Sequence, residues 1–294
     1  MKTKSQKILL KSVECAVMIA LATVLSTLKL VDMPYGGSVT FASMIPIAVI
    51  AYRYGIGWGL CAGGVYAVVQ QLLGLENFSY LPVPTPIAII ALILFDYIIA
   101  FLAIGLAGIF RGRLKKAGRA LSVSSGLEFM LGALLISVIR YLCHTVAGAT
   151  VWAGLPIPDG AALIYSIGYN ATYMIPETVI NCAVAFYLAS ALDFTKANLR
   201  AYKKSERGSF TVGRAGILKG LSLLSLTVAF ITDLCLVFAH VQDPESGDFT
   251  LKYLAEVNYT AVITVTAICV ILAISLAVGA YFISKKEVGA ESET

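Results

Sequence analysis

Between Arg140 and Asn170 the chain places groups that are costly to bury inside an otherwise apolar stretch. Arg140, Tyr141 and His144 are followed by Gly148 and Trp152, then by a turn from Leu155 to Gly160 containing Pro156, Pro158 and Asp159, and then by Tyr165, Ser166, Tyr169 and Asn170. A step of four residues on a helix overshoots one turn by roughly 40°. Arg140, His144, Gly148 and Trp152 therefore form one slowly winding stripe: a cation, an imidazole, a gap and an indole. A lone carboxylate, Asp96, sits near the middle of the apolar run Ile87 to Phe110. A carboxylate can accept from an exocyclic amine or offset a positive ring, aromatic faces can stack on that ring, and imidazole and amide fix its orientation. Such a set suits a small, flat, partly cationic ligand.

The setting raises the cost of these groups. Of 294 residues 59% are hydrophobic and 13% charged, and the mean hydropathy is +0.85, well outside the range of a soluble domain. The chain reads as an all-helical polytopic membrane protein. An ionised side chain at mid-bilayer costs roughly 2.5–3.5 kcal/mol on insertion scales, so it faces a cavity or a partner. Blander readings compete. Asp96 and Arg140 could be a structural ion pair between two spans, and Trp152, Tyr165 and Tyr169 could belong to an interfacial aromatic belt. His240 reads as interfacial, Glu128 and Glu177 as ambiguous cavity residues, and Asp233 as a pairing contact. The co-occurrence of so many polar types on three spans favours a site.

The elements that must position them are read from apolar runs and breakers. A first span covers Ile8 to Val31, with a small-residue surface at Ala16 and Ala20. A loop follows from Asp32 to Val39, with Pro34, Tyr35, Gly36 and Gly37 as breakers. Further spans are expected at Thr40–Tyr52, Ile56–Leu75, Ile87–Phe110, Ser125–Trp152 and Tyr165–Leu192. A polar linker then leads to two more, at Ala215–Val241 and Ala255–Ser284. The expected organisation is 1–195 as a six-helix substrate-binding domain, 196–214 as a basic cytoplasmic linker, and 215–294 as two additional helices with an acidic tail. Charge supports the even count. With both termini inside, all of the 22 basic residues except Lys29, Lys252 and Arg140 fall on the inner side.

Several functions are excluded by what the chain lacks. It contains no His-Glu-x-x-His and no Gly-Lys dipeptide, so neither a zinc protease nor a phosphate-binding loop for ATP is encoded. The six cysteines include no C-x-x-C pair and read as small hydrophobes, without a disulfide, zinc or cofactor role. The net charge of +5 is a topology signal with affinity for anionic lipid, and points to no nucleic acid. An intramembrane enzyme using His144 and Asp96 is an alternative, although no nucleophile or metal partner lies at usable spacing.

Four stretches carry a resemblance: Met33 to Val39, Asp96 to Phe101, Arg140 to His144, and Tyr165 to Pro176. In this order, residues from about 8 to 195 resemble the thiamine-specific S component, the substrate-binding membrane subunit of energy-coupling factor vitamin transporters. The resemblance implies a six-helix bundle in which the loop between the first two helices, including Tyr35, caps an outward-facing pocket. It implies that Asp96 holds the aminopyrimidine with Tyr97 beside it. His144, Tyr165 and Asn170 would be polar contacts, Trp152 a stacking ring, Gly148 a close approach, and Arg140 a basic position nearer the hydroxyethyl end. Ala16 and Ala20 would dock on a coupling subunit that works with two ATPases on separate chains. Two departures stand out: Ala147 where the family often has Ser, and Leu92 where Gln is expected, which leaves room for a precursor or related ring. The expected function is capture of thiamine or a close relative at the outer face of a prokaryotic cell membrane, with no covalent chemistry. A stand-alone secondary transporter is the remaining alternative.

Overall fold

The computed structural model describes residues 3–33, 37–114, 121–154, 160–194, 196, 199–203, scattered positions from 218 to 240, and 252–291. The chain forms two compact units, Met1–Gly208 and Ser209–Thr294. In the first unit the order is α1 (Lys4–Thr27), β1 (Lys29–Asp32), β2 (Ser38–Thr40), α2 (Ile45–Tyr54), α3 (Ile56–Leu73), α4 (Pro86–Phe110), α5 (Leu121–Trp152), α6 (Gly160–Ala191), β3 (Leu192–Asp193) and β4 (Arg200–Ala201). Five of these helices are long and apolar enough to cross a membrane. The protein is an all-α, multi-pass membrane protein.

Helix α1 begins at Lys4 rather than Ile8 because Thr3 and Gln6 cap it reciprocally. The Thr3 hydroxyl accepts from the Gln6 amide at 3.2 Å, and the Gln6 side chain accepts from the Thr3 amide at 3.0 Å. It ends at Thr27 rather than Val31 because the chain turns extended at Lys29. There β1 pairs antiparallel with β2, Val31 opposite Val39 and Asp32 opposite Ser38, so the expected loop is in part a hairpin. The Met33 amide donates to the Gly37 carbonyl at 2.7 Å inside it.

The expected second span, Thr40–Tyr52, is corrected. Thr40 belongs to β2 and α2 has only 10 residues, roughly 15 Å of helix. That is too short for a hydrocarbon core of about 30 Å. The structure compensates by enclosing α2: every residue from Ile45 to Arg53 is buried, among α1, α3 and α4. A helix apolar all round needs partners all round. The packing is close enough that a Cβ at Gly105 would overlap the backbone of Gly59 and Leu60, so α3 and α4 touch main chain to main chain.

Two helices depart from the regular repeat. Helix α4 is α-helical over Pro86–Leu92, π-helical over Ile93–Ile99, α-helical over Ala100–Leu102 and 3-10 over Ala103–Phe110. Helix α5 is regular to Ala147 and finishes in a π-helical turn, Gly148–Trp152. Both π segments fall on stretches that the chemistry had singled out.

Glu128, ambiguous from the sequence, is a structural cap. Its carboxylate accepts from the Tyr52 hydroxyl at 3.1 Å, the Gly112 amide at 2.7 Å and the Leu114 amide at 2.9 Å, and its side chain is fully enclosed. It thereby ties the connection after α4 to both α2 and α5. Glu128→Ala strands these donors, and we expect a loss of about 2–4 kcal/mol, read as a lower thermal-unfolding midpoint in detergent. The chain after α6 folds back on the same end: buried Asp193 pairs with Arg200 at 3.1 Å, and the Tyr202 hydroxyl donates to Ser125 at 2.9 Å.

The second unit contains α7 (Tyr259–Glu291), apolar over Tyr259–Ile283. Most of the expected run Ala215–Val241 lies outside the described residues. Three of those that are described bond to α7: Ser222 to the Ala273 carbonyl at 2.8 Å, Ser225 to the Cys269 carbonyl at 2.9 Å, and Asp233 accepting from Thr266 at 2.5 Å. Asp233 is thus a contact between helices.

Candidate functional site

Asp96 lies in the π segment of α4, and it is held from two directions by α5. His144 Nδ1 is 2.8 Å from one carboxylate oxygen, and Trp152 Nε1 donates to the other at 2.8 Å. The His144 and Asp96 side chains retain 14% and 12% exposure, small but open. A neutral imidazole that gives its Nδ1 proton to Asp96 presents Nε2 as an acceptor, and that atom is buried without a protein partner. Each carboxylate oxygen keeps a further lone pair. The cluster offers a compact set of acceptors beside the Trp152 indole.

Arg140, one turn earlier on α5, does not pair with Asp96. Its Nη1 donates to Glu177 at 3.1 Å and lies 2.8 Å from Met44 Sδ, and its guanidinium carbon is 4.8 Å from the Phe101 ring centroid. The structural ion pair considered from the sequence therefore forms with a different acid, because α6 packs along α5 and delivers Glu177 to that level. The other Glu177 oxygen accepts from Thr40, whose hydroxyl is 2.8 Å from that of Ser43. Arg140 Nε is buried and unpartnered, as is His144 Nε2 four residues on.

Asn170 is occupied by protein. Its amide nitrogen donates to the Ser166 carbonyl at 2.9 Å, to the Ser166 hydroxyl at 3.2 Å and to the His144 carbonyl at 3.3 Å, while its oxygen accepts from Tyr173 at 2.5 Å. Gly148 serves the same junction. A Cβ there would collide with Ser166 Oγ and stand 3.2 Å from Ser166 Cβ, so the missing side chain is what lets α6 approach. Together Asn170, Ser166 and Gly148 fix the backbone that carries His144.

Tyr97 points elsewhere. Its hydroxyl donates to the Gly74 carbonyl at 3.3 Å and accepts from Asn77 at 3.4 Å, at the end of α3. Tyr165 is half-buried and stacks on Tyr169 with centroids 6.0 Å apart, and Tyr169 meets Tyr173 edge-on at 5.8 Å. The hairpin rests on this ladder: Val39 packs on Tyr173 and Met174, and a Cβ at Gly37 would be 3.0 Å from the Tyr169 hydroxyl. Tyr35 lies outside the described residues. Ala147 and Leu92 are fully buried, so neither departure leaves a polar group. Ala16 and Ala20 are exposed on α1, on the side away from buried Cys15 and Ala22.

Sequence reasoning underrated Glu177, and it missed Thr40, Ser43, Met44 and Phe101. Only Glu177 carried a signal, as a carboxylate within an apolar span. Among the described residues no group of three or more His, Cys, Asp or Glu could hold a metal ion.

A protein-family model described as thiamine transporter protein (Thia_YuaJ) matches residues 12–196, which contain every part of this site. The chain belongs to the thiamine transporter protein family. Members related to it include the thiamine transporter ThiT of Bacillus subtilis, 37% identical over 186 residues, covering 62% of this chain and 91% of the relative. ThiT of Lacticaseibacillus paracasei is 31% identical over 145 residues, covering 48% of this chain and 68% of the relative. A solved structure of ThiT from Listeria monocytogenes is 24% identical, covers 62% of this chain and 94% of the other, and superposes with a TM-score of 0.49. This is a family of transporters and not of enzymes, which removes the intramembrane-enzyme alternative. Its matched region ends before the second unit begins.

Proposed function

We propose that this thiamine transporter family member captures thiamine as a substrate-binding membrane subunit, and that an ATP-driven module on separate chains energises its delivery. The observation that carries the reading is the Asp96 carboxylate bracketed by His144 and Trp152, with His144 Nε2 buried and unpartnered. Thiamine has an exocyclic amine on a pyrimidine and a positive thiazolium ring. The amine donates to Asp96 or His144, the Asp96 charge offsets the cation, and the Trp152 indole and the Tyr165–Tyr169 ladder offer aromatic faces. Asn170 and Gly148 act behind these groups by holding α5 and α6 in register, and Tyr97 supports the Asp96 turn from the far side.

No phosphate-binding loop is present in the chain, so ATP hydrolysis belongs to partners: a coupling subunit and two ATPases. The exposed Ala16 and Ala20 face of α1 is where that subunit docks, small side chains allowing close helix approach. Both termini face the cytoplasm of a prokaryotic cell, the ligand entering from outside beneath the hairpin.

Mass spectrometry of the small molecule that co-purifies with the protein, followed by calorimetric titration with thiamine, tests the reading. Recovery of unaltered thiamine supports it, and a flat isotherm with ligand-free protein overturns it. His144→Ala should weaken binding about tenfold, through loss of one acceptor and of the donor that orients Asp96. Uptake into vesicles should require the ATPases. Persistent uptake without them would point to a stand-alone carrier.

A further inference from the structure

We infer that the seam between α5 and α6 holds an ordered internal water at Asn181, a binding site separate from the Asp96 cluster and sealed from both lipid and solvent. Asn181 is fully enclosed, and neither its amide oxygen nor its amide nitrogen has a hydrogen-bond partner among the described residues. A side-chain amide carries two N–H donors and two acceptor lone pairs, and here the protein uses none of them. Burying such a group unpaired is unfavourable, because the hydrogen bonds it makes to solvent in the unfolded chain are given up without replacement. A hydrocarbon side chain would ask nothing of the same place.

Neighbouring contacts set the level of this amide in the bundle. The antiparallel helices meet at Arg140 and Glu177 on one side of it, and on the other the Cys182 thiol donates to the Met130 carbonyl at 3.8 Å. Asn181 thus lies opposite the α5 stretch between Met130 and Arg140, one turn beyond Glu177 on the buried face of α6 that also carries Tyr173 and Ala185. In that stretch Ala133, Ile136 and Ser137 are buried. The Ser137 hydroxyl donates to the Ala133 carbonyl at 2.9 Å, which leaves its oxygen to accept. Further unpartnered buried atoms lie along the same two helices: Thr145 Oγ1 toward the Asp96 cluster, and Ser124 Oγ and Ser190 Oγ toward the other end. The occupant has to donate to the Asn181 oxygen and accept from its nitrogen, and it has to be small. It also has to be neutral, since a cation would face the Asn181 NH₂ group and Arg140, and an anion would face the Glu177 carboxylate one turn away. Water meets all three conditions, and a buried water typically makes about three hydrogen bonds to groups of this kind.

Two substitutions of one shape test the site. Asn181→Thr and Asn181→Val differ only by a hydroxyl in place of a methyl, and both residues are β-branched, so packing and helix propensity nearly cancel between them. Each is made in the full chain and followed by thermal unfolding in detergent. A hydrated seam gives the threonine hydroxyl a partner and leaves the water beside a methyl in the valine variant, so Asn181→Thr should melt a few degrees above Asn181→Val. A dry seam reverses the order, because the methyl is then the cheaper group to bury. An Asn181→Val protein that melts at or above Asn181→Thr overturns the inference. Where a variant does not fold, a crystal structure of the parent that resolves ordered water decides. A density peak within about 3.2 Å of Asn181 Oδ1 or Nδ2 supports the site, and an amide touching carbon alone, or bonded only to protein, overturns it.

Discussion

Asp96→Asn should weaken thiamine binding about a hundredfold, the largest effect expected of any conservative change in this protein. The amide has nearly the shape of the carboxylate but carries a donor where there were two acceptors. Trp152 can only donate, so the new NH₂ group either faces it and costs it a partner, or faces His144 and forces the ring proton onto Nε2, where the imidazole no longer accepts. The ligand loses more. Its amine exchanges a charge-assisted hydrogen bond, worth about 1.5–3 kcal/mol, for a neutral one, and its positive ring loses the counter-charge. Titration calorimetry on purified protein, with thermal unfolding run alongside, separates lost affinity from lost fold. A folded Asp96→Asn protein that binds within threefold of the parent would remove this carboxylate from the site.

The second large effect concerns packing. Gly148→Val should lower both stability and affinity, by about 1–3 kcal/mol in unfolding and about tenfold or more in binding. The added branch has nowhere to go: the first carbon already meets Ser166 Oγ and stands 3.4 Å from Asn170 Nδ2. Separating α5 from α6 would break the Asn170 bond to the His144 carbonyl and let the imidazole swing away from Asp96. The milder Gly148→Ala should be partly rescued by Ser166→Ala, which removes the hydroxyl in the way. A Gly148→Val protein with parental melting and parental affinity would show that this junction does not position His144.

How much of this was legible before the structure depends on what each residue asks of its surroundings. Apolar length marks a span wherever backbone must satisfy itself in lipid, so the six long helices among the described residues lie close to where hydropathy puts them. Asp96, His144 and Trp152 stood out for the same reason, as polar groups whose burial demands partners. Which partners they would find was less visible. Arg140 chose Glu177, 37 residues away, over Asp96, a choice made by how α6 lies against α5 and not by any local pattern. Tyr97 follows Asp96 in sequence yet serves the end of α3. The length of α2 was overestimated because the apolar run continues through Phe41 and Ala42, where the backbone departs from helix; Ala42 has φ +56°. The hairpin was read only as a loop, since its Pro and Gly residues announce a turn without saying that its flanks will pair.

The two π-helical segments have a bearing on how relatives of this chain should be aligned. Each wide turn accommodates a residue more than an α-helix would, so the helix beyond it is out of phase with the helix before it. Removing one residue between Gly148 and Trp152 would let the segment relax to an ordinary helix and turn the indole about 100° off the carboxylate it now holds. Span length and hydropathy would hardly change. A one-residue gap at these places should therefore displace Trp152 from Asp96, where elsewhere in a membrane helix it would pass as drift.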